Sequence, residues 1–407
     1  MEPIESIREK LAEPKGSAAF ENWYENPAAQ PQRYLEAVRC FEKAFGTGRR
    51  AALFSSPGRC EIIGNHTDHQ FGRAVAAAVT LDMIAVAAPN GSHTVRVVSE
   101  GYSAAVVELD DLAPRIREKG MPSALIRGTA AGLTRAGFSP AGFDAYVSSH
   151  LPSGAGLSSS ASFECLIGAI FNVFFCGGKA SAVQIAQAGR FAESEYFGKP
   201  CGLMDQLACA TGGFAAMDFA EPAAPQVRRQ TFSPRQHGLC LFSVHTGGSH
   251  ADLTGQYAAI PAEMKEVAAC FDRQVLRQVP EDLFWARMGE LRGRVCDRAL
   301  LRAAHFFEED RRTAAFEDAL AQNDIPQILS LFAASGHSSQ QLLQNAWPDA
   351  KPGERGLCLA LALSSHLLQE KGACRIHGGG FAGSILSFVP QEMADFLNKE
   401  SGVLGIT

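Results

Sequence analysis

The chain has 407 residues, of which 46% are hydrophobic, 20% charged and 9% aromatic. This length and composition exclude a peptide-sized binding module and a disordered or fibrous chain, and they favour two domains or one large one. The formal net charge is −6 and no basic block is present, so we expect neither nucleic acid nor an anionic membrane as a partner.

Helices are predicted over much of residues 1–50, and from Ala51 short apolar runs broken by glycine predict strands. A buried helix is predicted from Ser158 to Phe175, because its apolar residues recur at helical period. A second helix is predicted over Ala182–Phe197.

Residues 255–345 read as mostly helical, and Ala373–Val389 reads as strand, glycine turn and strand. We place the domain boundary near residue 220, after a predicted strand at Phe214–Phe219. The prediction is therefore an N-terminal domain of residues 1–220 and a C-terminal domain of residues 221–407.

The segment LPSGAGLSSSAS at Leu151–Ser162 feeds a loop of small residues directly into a helix. Its glycines let a ligand approach the backbone, and the helix N-terminus offers N–H groups to an anion. The simpler interpretation is that the serines only cap a core helix. The candidate phosphate-binding residues are Gly154, Ala155, Gly156, Leu157, Ser158, Ser159 and Ser160.

The segment PGRCEIIGNHTDH at Pro57–His69 crowds hydrogen-bonding side chains around one glycine. Asp68 and His66 suit a polyol, since a carboxylate accepts hydrogen bonds from neighbouring hydroxyls. A metal site and a purely structural polar turn remain alternatives, although the HxHxDH metal pattern has Gly64 at its first histidine position.

Two further segments stand out. In GKPCGLMDQ at Gly198–Gln206, Asp205 is flanked by apolar residues, which is costly unless the carboxylate is hydrogen-bonded, used in chemistry or capping a helix. HGGGFAG at His377–Gly383 predicts a tight glycine turn between strands.

Together, the four segments resemble the GHMP small-molecule kinase family, and within it the galactokinases, whose sugar signature reads PGRVNLIGEHTDY. The resemblance extends from about residue 50 to residue 390. It implies an α+β fold with an N-terminal domain of the ribosomal-S5 type, a C-terminal ferredoxin-like domain and an active site between them. It also implies ATP and Mg²⁺ as cofactors.

The resemblance further implies the roles of individual residues. Asp205 would be the catalytic base and Arg59 its charged partner, while Ser160 and Glu193 would hold Mg²⁺. The sugar contacts would fall on Asn65, His66, Asp68, Gly202 and Tyr257.

The expected activity is phosphorylation of a galactose-like sugar at its anomeric hydroxyl. Three departures from the signature bear on the substrate: Asn65 replaces a glutamate implied to contact the sugar, Glu61 replaces an asparagine, and His69 replaces a tyrosine. A kinase for an amino sugar or a pentose, or a sensor that binds sugar and nucleotide without turnover, remain alternatives.

The expected compartment is the cytoplasm. The longest apolar stretches, residues 74–88 and 166–176, are interrupted by Asp82 and Asn172 and fall short of the ~18 residues of a membrane helix. The N-terminal segment has alternating charges without an apolar core, and 11 cysteines without a CxxC pair suggest free thiols. We also expect a monomer.

Overall fold

Helices and strands follow one another along most of the chain in this computed structural model, which describes residues 1–13, 16–24, 26–152, 156–247, 253–351 and 353–394. The strands are β1 (Glu2–Pro3), β2 (Arg50–Ile63), β3 (Arg73–Pro89), β4 (Thr94–Ser99), β5 (Ala105–Glu108), β6 (Phe143–Ser149), β7 (Phe214–Asp218), β8 (Gln226–Gln230), β9 (Leu239–His245), β10 (Ala373–Ile376) and β11 (Ser384–Pro390). The helices are α1 (Ile4–Ala12), α2 (Gln30–Phe45), α3 (Pro122–Arg135), α4 (Ser159–Phe175), α5 (Ala182–Phe191), α6 (Met204–Thr211), α7 (Thr254–Ala269), α8 (Glu281–Ala286), α9 (Met288–Leu291), α10 (Asp297–Gln322), α11 (Ile325–Ser338) and α12 (Gly356–Leu368).

The first of two compact units comprises Met1–Arg59, Ala78–Pro152 and Leu157–Thr211. Its strands follow the order β1-β2-β3-β6-β4-β5, with β4 parallel and β3 antiparallel to β6. Helices α3, α4, α5 and α6 pack against one another. Most of α4 is buried, and its Phe171 meets Phe143 of β6 edge to face at 5.1 Å, so this helix belongs to the core.

The second unit comprises Cys60–Ala77, Ser153–Gly156 and Gly212–Thr407. In this unit the first residues of β3 pair antiparallel with β7, which pairs with β8. A separate antiparallel sheet has the order β10-β11-β9, and α11 and α12 pack on β10. The long helix α10 packs against α7 and α11 and completes the core of this unit.

The α+β prediction is confirmed, and the predicted core helix, β7 and the final strand–turn–strand segment all occur. The predicted helix over residues 182–197 is continuous, but Ala192–Phe197 forms a π-helical turn. A division at residues 220 and 221 stays a prediction. The last boundary between the two compact units falls between residues 211 and 212. Residues 60–77 belong to the second unit, because they pair with β7 and pack on α10. Among the described residues, no helix is long and apolar enough to cross a membrane.

Candidate active site

In the first unit, Arg59 of β2 and Asp205 of α6 form a two-point ion pair. Arg59 donates from Nε to Oδ1 at 2.8 Å and from Nη2 to Oδ2 at 2.6 Å. The Asp205 side chain is 30% exposed and that of Arg59 only 9%. Burial raises the pKa of Asp205, but the Arg59 charge and hydrogen bonds outweigh it and leave the pKa below its usual value. The carboxylate is therefore ionised and held in one orientation.

Ser158 links this pair to the start of α4. It is the N-cap residue but adopts a left-handed conformation with φ 54°, and its hydroxyl donates to Asp205 Oδ2 without capping its own helix. Arg59 also donates its backbone N–H to the Leu157 carbonyl at 3.1 Å. Arg59 and the residue that precedes α4 therefore bind the same carboxylate.

Part of the predicted phosphate loop lies outside the described residues, namely Gly154 and Ala155. Gly156 is described and has φ 77°, a conformation that favours glycine. A Cβ at Gly156 would lie 3.4 Å from His377 Nδ1, so the backbone approaches that ring closely in the second unit. Of the other candidates, Leu157 is buried, and Ser159 opens α4.

Glu193, on the π-helical turn, is buried and hydrogen-bonded to three side chains of the first unit. Its Oε1 accepts hydrogen bonds from Ser160 Oγ and Lys199 Nζ, both at 2.8 Å, and its Oε2 accepts one from Gln206 Nε2 at 2.9 Å. Burial lowers the pKa of Lys199, but the Glu193 carboxylate raises it above its usual value. Ser160 and Glu193, the two residues predicted to hold Mg²⁺, are hydrogen-bonded to each other.

Gln206 also donates to Glu164 Oε2 at 2.9 Å, and both side chains are buried. Burial, reinforced by the Glu193 charge, raises the pKa of Glu164 to about 9. Glu164 is therefore a neutral acid at pH 7. Gln206, Glu164 and Lys199 are not predicted from the sequence as site residues, although they lie within Ser158–Phe175 and Gly198–Gln206.

The oxygens of Ser160 and Glu193 suit Mg²⁺, which binds oxygen and takes one or two protein ligands beside substrate phosphates. No group of three or more histidine, cysteine, aspartate or glutamate side chains that could hold a metal occurs in the described ranges. A pair of protein oxygens completed by nucleotide phosphates is consistent with both observations. The Lys199 ammonium already places a positive charge at Glu193 Oε1.

In the second unit, three side chains from the predicted sugar site bind consecutive carbonyls of the HGGGFAG turn. Asn65 Nδ2 donates to the Gly378 carbonyl at 2.7 Å, His66 Nε2 lies 3.1 Å from the Gly379 carbonyl, and Tyr257 Oη donates to the Gly380 carbonyl at 2.8 Å. Two segments predicted independently, more than 300 residues apart, are joined here. The sugar signature and the glycine turn therefore form one structure.

Asn65 is fully buried and its amide is saturated. Nδ2 also donates to Glu61 Oε1 at 2.8 Å, and Oδ1 accepts from Asn345 Nδ2 at 2.8 Å. Glu61 in turn pairs with the buried guanidinium of Arg375 at 3.1 Å. A sugar contact at Asn65 stays a prediction, but its amide hydrogens already have protein acceptors.

Four other residues are predicted to contact the sugar, namely His66, Asp68, Gly202 and Tyr257. Burial lowers the pKa of His66 to about 3, so this ring is neutral and donates from Nε2. Asp68 begins a 3-10 turn and its Oδ1 accepts the His69 N–H at 2.9 Å. Gly202 lies in the first unit, two residues before α6. Burial raises the pKa of Tyr257 to about 12, which keeps its hydroxyl protonated.

Two family models match the chain. The GHMP kinases N terminal domain matches residues 124–213, and the galactokinase galactose-binding signature matches residues 39–89. These matches cover α4, Glu193, Asp205 and the segment from Arg59 to His69. The resemblance to GHMP kinases, and to galactokinase among them, is confirmed.

Solved structures show the same fold. A Lactococcus lactis galactokinase complexed with galactose is 23% identical, with a TM-score of 0.76, over 90% of this chain and 92% of that one. A Methanococcus jannaschii mevalonate kinase is 16% identical, with a TM-score of 0.56, over 86% and 96%. A Streptococcus pneumoniae phosphomevalonate kinase in complex with phosphomevalonate and AMPPNP is 12% identical, with a TM-score of 0.56, over 86% and 95%. The fold is that of the GHMP kinases.

Proposed function

We propose that this GHMP-type kinase transfers the γ-phosphoryl group of ATP to the anomeric hydroxyl of a galactose-like sugar, giving the sugar 1-phosphate and ADP. The observation that carries the proposal is the carboxylate of Asp205, held ionised by Arg59 and Ser158 at the start of α4. The galactose-binding signature supports a sugar as the acceptor.

Asp205 is the proposed proton acceptor. The anomeric hydroxyl loses its proton as its oxygen attacks the γ-phosphorus, and an ionised carboxylate within hydrogen-bond reach can take that proton. The lowered pKa makes Asp205 a weak base, so the proton moves late, when the attacking oxygen has become acidic. Arg59 stays charged throughout and favours negative charge on the transferring group.

The N-terminus of α4 is the proposed phosphate site, with Gly156–Ser160 and the preceding Gly154 and Ala155. Unbonded N–H groups in a helix's first turn attract anions, and the Ser158 hydroxyl is committed to Asp205. Ser160 and Glu193 would hold Mg²⁺, which would neutralise phosphate charge when bound. Gln206 fixes the Glu193 carboxylate from the opposite oxygen.

For the sugar, the proposed contacts are His66, Asp68, Gly202 and Tyr257. Asp68 would accept hydrogen bonds from sugar hydroxyls, while the His66 ring and the Tyr257 hydroxyl are neutral. The Gly202 backbone allows close approach of the substrate. Asn65 is considered separately below.

The test is an ADP-release assay with Mg²⁺ across hexoses, pentoses and amino sugars, with NMR to locate the phosphate on the product. We expect turnover with a galactose-like sugar and phosphate on the anomeric oxygen. Sugar and ATP binding without ADP release would instead identify a sensor, and phosphate on another hydroxyl would contradict the proposed regiochemistry. Light scattering on the same sample tests the proposed monomer.

A further inference from the structure

Glu61 and Asn65 occupy each other's places in the sugar signature, where asparagine stands at position 61 and glutamate at position 65. In the structure these two side chains are bonded to one another, Asn65 Nδ2 to Glu61 Oε1, at 2.8 Å. The signature and this chain both have one amide and one carboxylate at positions 61 and 65, in opposite order. The two departures from the signature therefore meet at one hydrogen bond.

The surroundings suit the order found in this chain. Asn65 Nδ2 faces two acceptors, Glu61 Oε1 and the Gly378 carbonyl, and its Oδ1 faces the donor Asn345 Nδ2. A carboxylate at position 65 could not donate to the Gly378 carbonyl, because ionised acids are acceptors only. An amide is the group that satisfies both sides.

The negative charge at position 61 faces a positive charge. Arg375 of β10 is fully buried, and its Nη2 lies 3.1 Å from Glu61 Oε1. A buried guanidinium needs a counter-ion, and Glu61, itself 4% exposed, supplies it. The exchange therefore places the carboxylate beside Arg375 and the amide beside the glycine turn.

We propose that Glu61 and Asn65 are a reciprocal, compensated exchange, and that Asn65 is a positioning residue for the glycine turn and not a direct sugar ligand. The consequence for recognition is that no carboxylate at position 65 holds a sugar hydroxyl. Asn65 instead fixes Gly378, next to the carbonyls that His66 and Tyr257 bind. The inference rests on the proposed function only in taking a sugar as the ligand.

The first experiment measures the energetic coupling between residues 61 and 65 from the melting temperature, a readout that does not depend on enzymatic activity. Asn65→Glu sets two carboxylates against each other and Glu61→Asn removes the carboxylate in direct contact with Arg375, so each should lower Tm by about 5 °C or more. The double variant Glu61→Asn/Asn65→Glu retains one amide, one carboxylate and the net charge. It removes the clash of two carboxylates but leaves residue 65 unable to donate to the Gly378 carbonyl, so we expect its loss to be smaller than the sum of the two single losses. Additive shifts would overturn the exchange.

Glu61→Gln is the matched control for charge. It keeps an oxygen that can accept from Asn65 Nδ2 but removes the charge facing Arg375. Its Tm should fall less than that of Glu61→Asn, whose shorter side chain loses both contacts. An equal fall in the two variants would show that the Asn65 contact contributes nothing.

The second experiment separates positioning from direct contact. Calorimetry measures the Kd of galactose and its 2-, 3-, 4- and 6-deoxy analogues for the parent and for Asn65→Ala. A positioning residue should weaken every ligand by a common factor, roughly fivefold or more for a lost hydrogen bond. A direct ligand would leave one analogue unaffected, namely the one without the hydroxyl that Asn65 binds, and that result would overturn the proposal.

The two proposals fail in different ways. If the parent binds these sugars but releases no ADP, the proposed reaction is wrong and both experiments on Asn65 still stand. If turnover occurs while the Tm shifts are additive, the reaction stands and the compensated exchange is wrong. If none of the sugars binds, the positioning role toward a sugar is wrong as well.

Discussion

Arg59 and Asp205 meet through both nitrogens of one edge of the guanidinium and both carboxylate oxygens, at 2.8 and 2.6 Å. This contact fixes the plane of the carboxylate as well as its charge. Ser158 adds a third bond to Oδ2 from the first turn of the core helix α4.

Asp205→Asn removes the proposed proton acceptor but keeps the size of the side chain. We expect kcat to fall by a factor on the order of 10²–10⁴, with the Kd of the sugar within a few-fold of the parent. Steady-state ADP release and calorimetry measure the two quantities. A near-normal kcat would place the base elsewhere.

Arg59→Lys keeps the positive charge and loses the planar two-point contact, because an ammonium lacks the paired N–H donors of a guanidinium edge that fix the plane of the carboxylate. Misplacement of a catalytic group by about 1 Å can cost roughly 10²-fold in rate, and we expect a fall in kcat of that order. If kcat is unchanged, the charge of residue 59 is sufficient and the orientation of Asp205 is not important.

Gly156→Val should weaken ATP binding by about 10²-fold or more, because a β-branched residue is strained at φ 77° and its Cβ would already be in van der Waals contact with His377. Gly91→Val is the matched control, since Gly91 has φ 69° and open space around its Cβ position. The two Kd values for ATP are measured by calorimetry. Equal binding by both variants would contradict the phosphate-site assignment.

Glu193→Gln and Ser160→Ala should raise the Mg²⁺ concentration needed for half-maximal activity, by about tenfold or more, because each removes a proposed oxygen ligand. Glu195→Gln is the control, on the same π-helical turn but exposed. Mg²⁺ titrations at fixed ATP give the values. The assignment is wrong if all three variants respond to Mg²⁺ as the parent does.

Glu164→Gln should change how stability depends on pH. The folded-state pKa of Glu164 is raised to about 9, so between about pH 5 and pH 9 the folded protein keeps a proton that the unfolded chain has lost. The free energy of unfolding therefore falls as pH rises through this window, by up to about 1.4 kcal/mol per unit from this group. The neutral, isosteric glutamine removes that contribution.

The measurement for Glu164→Gln is urea unfolding with EDTA at several pH values between 5 and 9. The stability of the variant relative to the parent should increase steadily with pH, while exposed Glu195→Gln should run parallel to the parent. A constant difference between Glu164→Gln and the parent would show that Glu164 is ionised in the folded state.

Local pattern and motif resemblance explain what could be predicted from the sequence. The period of apolar residues predicted α4, and the order of the four segments pointed to Arg59, Asp205, Ser160 and Glu193, whose pairings the structure contains. Most of the other contacts depend on residues far apart in the chain. Asn345 contacts Asn65 from 280 positions away, and no local pattern marks it as a partner.

The burial of Asn65 and the pKa of Glu164 were unpredictable for a related reason. Both depend on what surrounds a side chain in three dimensions. The sequence shows the same residue type whether that side chain is buried or exposed. The π-helical turn was missed because its apolar residues continue the period of α5 closely enough to read as one helix.

The π-helical turn Ala192–Phe197 sets the direction of Glu193, the proposed metal ligand. A π turn contains one residue more than the α-helical turn that would span the same length, so the direction of Glu193 depends on a single insertion relative to a regular helix. Deleting one residue between Glu193 and Gly198 would return the turn to α geometry and rotate the residues on one side of it by about 100° relative to the other. In evolutionary terms, a change of chain length by one residue could create or abolish this contact without altering any of the side chains that make it.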